Sequence, residues 1–176
     1  GSFRITNNTY DLAISGDGFF AVEFTNKAGE TSTKYTRSGS FTLNQEGYLV
    51  TKDGDYVLDD QNARIRLDPN QEAQIIKNGD IMQNDRLVAT VGITDFENYD
   101  YLEKYGETYY QPVEGAELTQ ANAVLHSGYL EMSNVNTVSE MVNLIAITRA
   151  YETNQKVIQA YDGGLDITVN QLGKVN

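Results

Sequence analysis

Through residues 10–95, apolar and polar positions alternate in short bursts, each closed by turn-forming residues. Leu12 and Ile14 alternate with polar neighbours before Gly16-Asp17-Gly18. Phe20, Val22 and Phe24 follow at a period of two and stop at Asn26-Lys27-Ala28-Gly29. Tyr35, and then Phe41 with Leu43, predict strands on either side of Ser38-Gly39. Tyr48 with Val50 and Tyr56 with Leu58 flank Lys52-Asp53-Gly54-Asp55, a hairpin signal. Ile65 and Leu67 point away from Arg64 and Arg66 in a strand ended by Asp68-Pro69-Asn70. Asn78-Gly79 marks another tight turn, and Leu87, Ala89, Val91 and Ile93 give the cleanest alternation. About eight strands spaced by turns predict an antiparallel β-domain over residues 1–95.

The period changes towards the C-terminus. Thr137-Val138-Ser139-Glu140 fits a capping box, in which hydroxyl and carboxylate satisfy free amides at a helix start. Leu144, Tyr151, Ile158, Leu165 and Leu172 then recur every seven residues, with Ile147 and Tyr161 three places after members of that row. This predicts a long C-terminal helix over 137–173, roughly 50 Å long at about 1.5 Å per residue. So long a seam asks for a partner helix, and packing on the chain's own domain is the alternative. Val138, Met141, Val142 and Ile145 widen the apolar arc near the start. Asn154 and Thr168 are polar within the seam, and Gly163-Gly164 costs about 1 kcal/mol per residue relative to Ala. The expected fold class is mainly β, an antiparallel β-domain followed by one long C-terminal α-helix.

Residues 96–136 read as an irregular, tyrosine-rich connection that closes the β-domain. Tyr99, Tyr101, Tyr105, Tyr109 and Tyr110 are five of the twelve tyrosines. They could form a carbohydrate platform; the preferred reading is a loop whose rings cover the sheet while their hydroxyls stay wet.

Composition narrows the function. Of 176 residues 40% are hydrophobic, a globular balance, and 25 acids against 13 lysines and arginines give a net charge of −12. That field disfavours nucleic acid and anionic lipid. No cysteine is present, which removes disulfides, thiolate metal sites and cysteine nucleophiles. There is no apolar run of transmembrane length, so no membrane insertion is expected. The chain opens on Gly1-Ser2 instead of Met, and a fragment of a longer protein is expected.

Candidate chemistry is thin. His126 is the single histidine, no G-x-S-x-G elbow accompanies Ser127, and a loop histidine without a role is expected. Asp53, Asp55, Asp59 and Asp60 do not follow a calcium-loop pattern, and turn chemistry explains them better. Gly16-Asp17-Gly18 lacks phosphate-loop spacing. Carboxylate pairs suited to glycoside hydrolysis are not singled out by any apolar setting. No catalytic residue, metal site or cofactor is expected.

Longer stretches carry a resemblance. Gly128-Tyr129-Leu130-Glu131, Ser133-Asn134-Val135-Asn136, Glu140-Met141-Val142-Asn143-Leu144-Ile145 and Arg149-Ala150-Tyr151-Glu152 resemble the C-terminal pattern of bacterial flagellar hook and basal-body rod proteins. Asp11-Leu12-Ala13-Ile14, Gly16-Asp17-Gly18-Phe19-Phe20, Tyr35-Thr36-Arg37-Ser38-Gly39-Ser40-Phe41 and Gly47-Tyr48-Leu49-Val50 resemble the β-domain of the same family. The chain is most similar to the distal-rod type, with a proximal rod or hook subunit as the alternative. A cell-wall polysaccharide-binding module is a more remote one.

The resemblance implies a structural axial subunit, exported to the basal body outside the cytoplasmic membrane, that polymerises into the drive shaft and transmits torque. It implies as partners other copies of the chain, neighbouring rod and hook proteins, and an N-terminal helix preceding Gly1. Leu144, Ile147, Tyr151, Ile158, Tyr161, Leu165 and Leu172 are the expected inter-subunit seam. Asn134, Val135, Asn136, Thr137 and Glu140 form the expected junction between domain and helix.

Overall fold

A computed structural model of the chain describes residues 2–132, within one compact unit, Gly1–Asn136. Its strand pairing is set by five loops of the same construction, at residues 26–30, 44–48, 51–55, 59–63 and 76–80. In each, the first amide donates to the fifth carbonyl, and the fourth amide donates to the first carbonyl. The fourth residue carries a positive φ: Gly29 at 89°, Gly47 at 90°, Gly54 at 89°, Asn62 at 63° and Gly79 at 98°. This is a three-residue hairpin loop with a glycine-type bulge. In four of the loops the first side chain accepts two further amides. Asn26 holds Ala28 and Glu30, Asn44 holds Glu46 and Tyr48, Thr51 holds Asp53 and Asp55, and Asp59 holds Gln61 and Ala63. The letters Asn, Thr or Asp at the first position and Gly or Asn at the fourth are therefore hairpin chemistry.

The strands are β1 (Phe3–Ile5), β2 (Leu12–Gly16), β3 (Phe19–Thr25), β4 (Thr31–Thr36), β5 (Phe41–Leu43), β6 (Leu49–Thr51), β7 (Tyr56–Val57) and β8 (Ala73–Ile75). They continue with β9 (Asp80–Gln83), β10 (Arg86–Thr90), β11 (Ile93–Phe96), β12 (Leu102–Tyr105), β13 (Tyr109–Pro112), β14 (Leu118–Gln120), β15 (Ala123–Ser127) and β16 (Tyr129–Glu131). The main sheet runs β12-β13-β4-β3-β7-β6-β5, and β11 joins β3 beside β7 while carrying β14. A meander of β8, β9 and β10 and two ribbons, β2 with β15 and β1 with β16, complete the pairing. Every strand pair is antiparallel.

Leu12 and Ile14 of β2, Phe20 and Val22 of β3, Leu49, Val57, Ile65, Leu67, Ile81 and Leu125 make one buried cluster. Each such side chain contributes about 1.5–3 kcal/mol by leaving water. The opposite side of β3 is buried as well: Phe19 meets Phe96, Tyr99 and Tyr110 edge-on at 5.9, 5.7 and 5.6 Å. Tyr35 meets Phe96 at 4.9 Å. Residues 96–110 thus fold back over the sheet and contribute β12 and β13 to its edge.

The expected fold class needs correction. Among the described residues there are strands, turns and one 3-10 turn, Tyr99–Tyr101, and no α-helix. The long helix expected over 137–173 falls outside the described residues, and the fold described is mainly β with no helix beyond that turn. The physical reason is that a seven-residue apolar repeat stabilises a helix only through the surface that covers it, and the letters alone do not supply that surface.

Candidate assembly surfaces

The junction residues Asn134, Val135, Asn136, Thr137 and Glu140 lie outside the described residues. So do the seam residues Leu144, Ile147, Tyr151, Ile158, Tyr161, Leu165 and Leu172. What the structure describes is the approach to them. In the ribbon of β1 and β16, Phe3 stands opposite Glu131, Arg4 opposite Leu130 and Ile5 opposite Tyr129. The Met132 amide donates to the Ser2 carbonyl at 2.9 Å, so residues 2 and 132 lie side by side. Gly128, at φ 88°, feeds β16: its carbonyl accepts the amides of Thr6 and Asn7, and its amide donates to Asp11.

Arg37 locks this ribbon to the domain. Its Nη1 donates to the carbonyls of Gly16 and Gly18, both at 2.9 Å, and its Nη2 to that of Ile14 at 3.1 Å. Nε and Nη2 also reach the two carboxylate oxygens of Glu131, at 3.4 and 3.3 Å. Both side chains are nearly covered, 8% and 16% exposed. A planar guanidinium suits this role, because it grips a carboxylate with two donors while others satisfy backbone carbonyls. Gly16 and Gly18 therefore shape a socket for a guanidinium, with φ of 107° and 139°. Sequence reasoning missed Arg37. The available signal was that Tyr35-Thr36-Arg37-Ser38-Gly39 and Gly128-Tyr129-Leu130-Glu131 each hold one charge of opposite sign.

The tyrosine stretch is largely consumed internally. Tyr110 is 2% exposed, and Tyr105 packs on Phe24 at 5.3 Å and under the Lys34 ammonium at 4.7 Å. The hydroxyls of Tyr99 and Tyr109 are bonded to carboxylates, Asp95 and Asp55, where wet hydroxyls were expected. Burial and these carboxylates push both phenol pKa values up. His126 sits on β15 opposite Ala13, and its ring packs between Phe3 and Tyr129 at 5.5 and 6.1 Å; it is a strand residue of the ribbon region, not a loop residue. A polar pocket of about 270 Å³ lies beside Tyr109, lined by Thr36, Ser38, Ser40, Thr51 and Lys52 among others. Among the described residues no group of three or more His, Asp or Glu is gathered to hold a metal ion. Asp59 instead serves its own loop.

The Arg37 cluster thus pins the domain beside the ribbon of β1 and β16. Residues 13–83 match the family model described as the flagellar hook protein FlgE/F/G D1 domain. Residues 126–172 match that of the flagellar basal body rod FlgEFG protein C-terminal. The chain is similar to the flagellar basal-body rod protein FlgF of Mesorhizobium japonicum, at 34% identity over 98% of this chain and 71% of the relative. It is similar to FlgF of Caulobacter vibrioides at 37%, over 100% and 71%. With the flagellar basal-body rod protein FlgG of Bacillus subtilis it shares 35%, over 94% and 66%. The chain belongs to the flagellar basal-body rod protein family. It is a structural, non-enzymatic protein of the flagellar basal body, outside the cytoplasmic membrane. The first matched region contains Arg37 and the second contains Glu131, so the buried ion pair joins the two.

Proposed function

We propose that the chain is an axial subunit of the rod that repeats on a helical lattice through heterologous contacts and passes torque from motor to hook. The observation that carries this reading is identity above 30% along nearly the whole chain to proteins named as basal-body rod proteins. The geometry supports it, because the ribbon of β1 and β16 brings residues 2 and 132 together at one pinned place. Residues 133 onward then carry contacts to neighbouring subunits, through Leu144, Ile147, Tyr151, Ile158, Tyr161, Leu165 and Leu172. Asn134 and Asn136 set the local backbone at the junction through short amide side chains.

The position proposed is the distal rod, supported by Gly128-Tyr129-Leu130-Glu131, Arg149-Ala150-Tyr151-Glu152 and the relatives named FlgG. A proximal place is the second reading. It is favoured by the division of the relatives between two names, with those named FlgF matched over the larger share of their length. Electron microscopy of basal bodies from cells lacking the protein tests both. Short rods without hooks are the expected result. Absence of any rod would move the subunit to the proximal place, and complete hooks and filaments would contradict the structural role.

A further inference from the structure

Two of the chain's few cations stand together on an exposed strip, stacked on tyrosines. The Arg64 guanidinium lies 3.9 Å from the centre of the Tyr56 ring and donates from Nε to Glu23 at 2.7 Å. The Arg66 guanidinium lies 5.4 Å from the Tyr48 ring and donates from Nε to the Glu46 carbonyl at 3.0 Å. The two rings meet edge-to-face at 5.3 Å. Pairing produces the strip: Tyr48 bridges Arg66, Leu58 bridges Arg64, and Tyr56 stands opposite Glu23 on one side and Val50 on the other. The alternate residues Leu49, Val57, Ile65 and Leu67 are buried in the core, so the strip is the outward side of the same segments.

Tyr48 and Tyr56 are half-buried beneath the two arginines, both of which are exposed, and the Arg64 side chain is 44% accessible. Among the described residues the side-chain hydrogen bonds of both arginines run through Nε. Arginine and tyrosine dominate the energetics of protein contacts, and side chains already held in place lose little freedom on docking. A chain of net charge −12 supplies the complement itself. The Glu97 amide donates to the Glu117 carbonyl and the Val113 amide to the Tyr101 carbonyl, bringing residues 97–101 and 113–118 together. There Glu97, Asp100, Glu114 and Glu117 are exposed around Tyr101 and Leu118, which are 40% and 59% accessible.

We propose that the strip of Arg64, Tyr56, Tyr48 and Arg66 docks on the acidic patch of Glu97, Asp100, Glu114 and Glu117 of a second copy of this chain. The two patches differ, so the contact is heterologous and extends from copy to copy without closing on itself as a two-fold pair would. Opposite charge across the contact also selects its register. This rests on the rod reading and adds to it the surfaces that meet.

The test uses the full-length protein in cells that lack their own copy. Arg64→Glu with Arg66→Glu is expected to lower the number of hook-bearing basal bodies about tenfold, as is Glu114→Lys with Glu117→Lys. The four changes combined are expected to restore the number to within about twofold, because the attraction is re-formed with reversed sign. Purified variants are expected to unfold at the wild-type denaturant midpoint. If the charge reversal lowers that midpoint, Arg64→Gln with Arg66→Gln, with its own midpoint checked, replaces it and is expected to lose assembly too. Wild-type assembly by the arginine variants, or no restoration in the combined variant, overturns the docking strip. Absence of the tagged wild-type protein from purified basal bodies overturns the rod reading on which the strip depends, and is told apart from the first failure by that readout.

Discussion

Two arginine–glutamate pairs in this domain have the same chemistry and different uses. Arg37 and Glu131 are 8% and 16% exposed, and Arg37 also satisfies three backbone carbonyls. Arg64 and Glu23 are 44% and 27% exposed, and Arg64 adds only a ring beneath it. Burial decides the difference. Removing either member of a desolvated pair leaves an uncompensated buried charge, whereas an exposed pair exchanges its partner for water at little cost. The first pair is therefore architecture, holding β16 to the turn at Gly16–Gly18, and the second leaves its arginine available to another molecule.

The contrast breaks most readily at Arg37. Arg37→Met is expected to destabilise the protein by about 3–5 kcal/mol, since it leaves Glu131 and the socket carbonyls unpaired. Urea denaturation measures this, and a loss no larger than that of Arg66→Met would erase the distinction. A smaller effect is expected at Tyr109, whose hydroxyl is shared between Asp55 and Thr51. Tyr109→Phe should cost about 1–2 kcal/mol near neutral pH. Its pH dependence has a definite sign. Burial first, and then the Asp55 hydrogen bond, raise the folded pKa above the ordinary 10.0. The unfolded chain therefore releases this proton first, and stability present below pH 10 is lost as pH rises beyond it. Tyr109→Phe is expected to flatten that alkaline decline, which denaturation midpoints at stepped pH will follow.

Smaller again is the loop effect. Gly29 sits at φ 89° with open space where a Cβ would be, so Gly29→Ala should cost about 1 kcal/mol through backbone strain alone. Asn62 occupies the same loop position at φ 63°, and Asn62→Gly should change stability by only a few tenths of a kcal/mol. At the far end of the scale, Arg64→Met with Arg66→Met is expected to leave the unfolding midpoint unchanged. A measurable drop would turn the exposed strip into a second piece of architecture.

How far the sequence disclosed this depends on the range of each interaction. Loops at residues 26–30, 51–55 and 76–80 were legible because their chemistry lies within five letters. Phe20 and Val22 were legible because they share the side of β3 that faces the main core. Ile65 and Leu67 alternate into the same core, although isolated bridges at Arg64 and Arg66 replace the expected strand. The alternation of Leu87, Ala89, Val91 and Ile93 looked cleanest and was the least faithful. It crosses a bulge between Leu87 and Ala89 and passes from β10 to β11, with Leu87 58% exposed. Strands β12 and β13 were hidden in the tyrosine stretch, where Tyr109 and Tyr110 are adjacent in sequence and both buried. A strand whose adjacent residues are both large and buried shows no period of two in its letters. Arg37 was missed for a different reason: its carboxylate partner is 94 residues away, and the only signal lay in matching two distant segments of opposite charge.

The central claim is that one arginine pair is spent inside the subunit and the other between subunits. Cryo-electron microscopy of intact basal bodies, at a resolution that assigns side chains, tests it most directly. The account predicts this chain in the rod wall, with Arg37 and Glu131 paired within each copy and Arg64 and Arg66 buried against residues 97–118 of the next copy. Arg64 and Arg66 facing solvent in the assembled rod, or Arg37 and Glu131 parted, would contradict it.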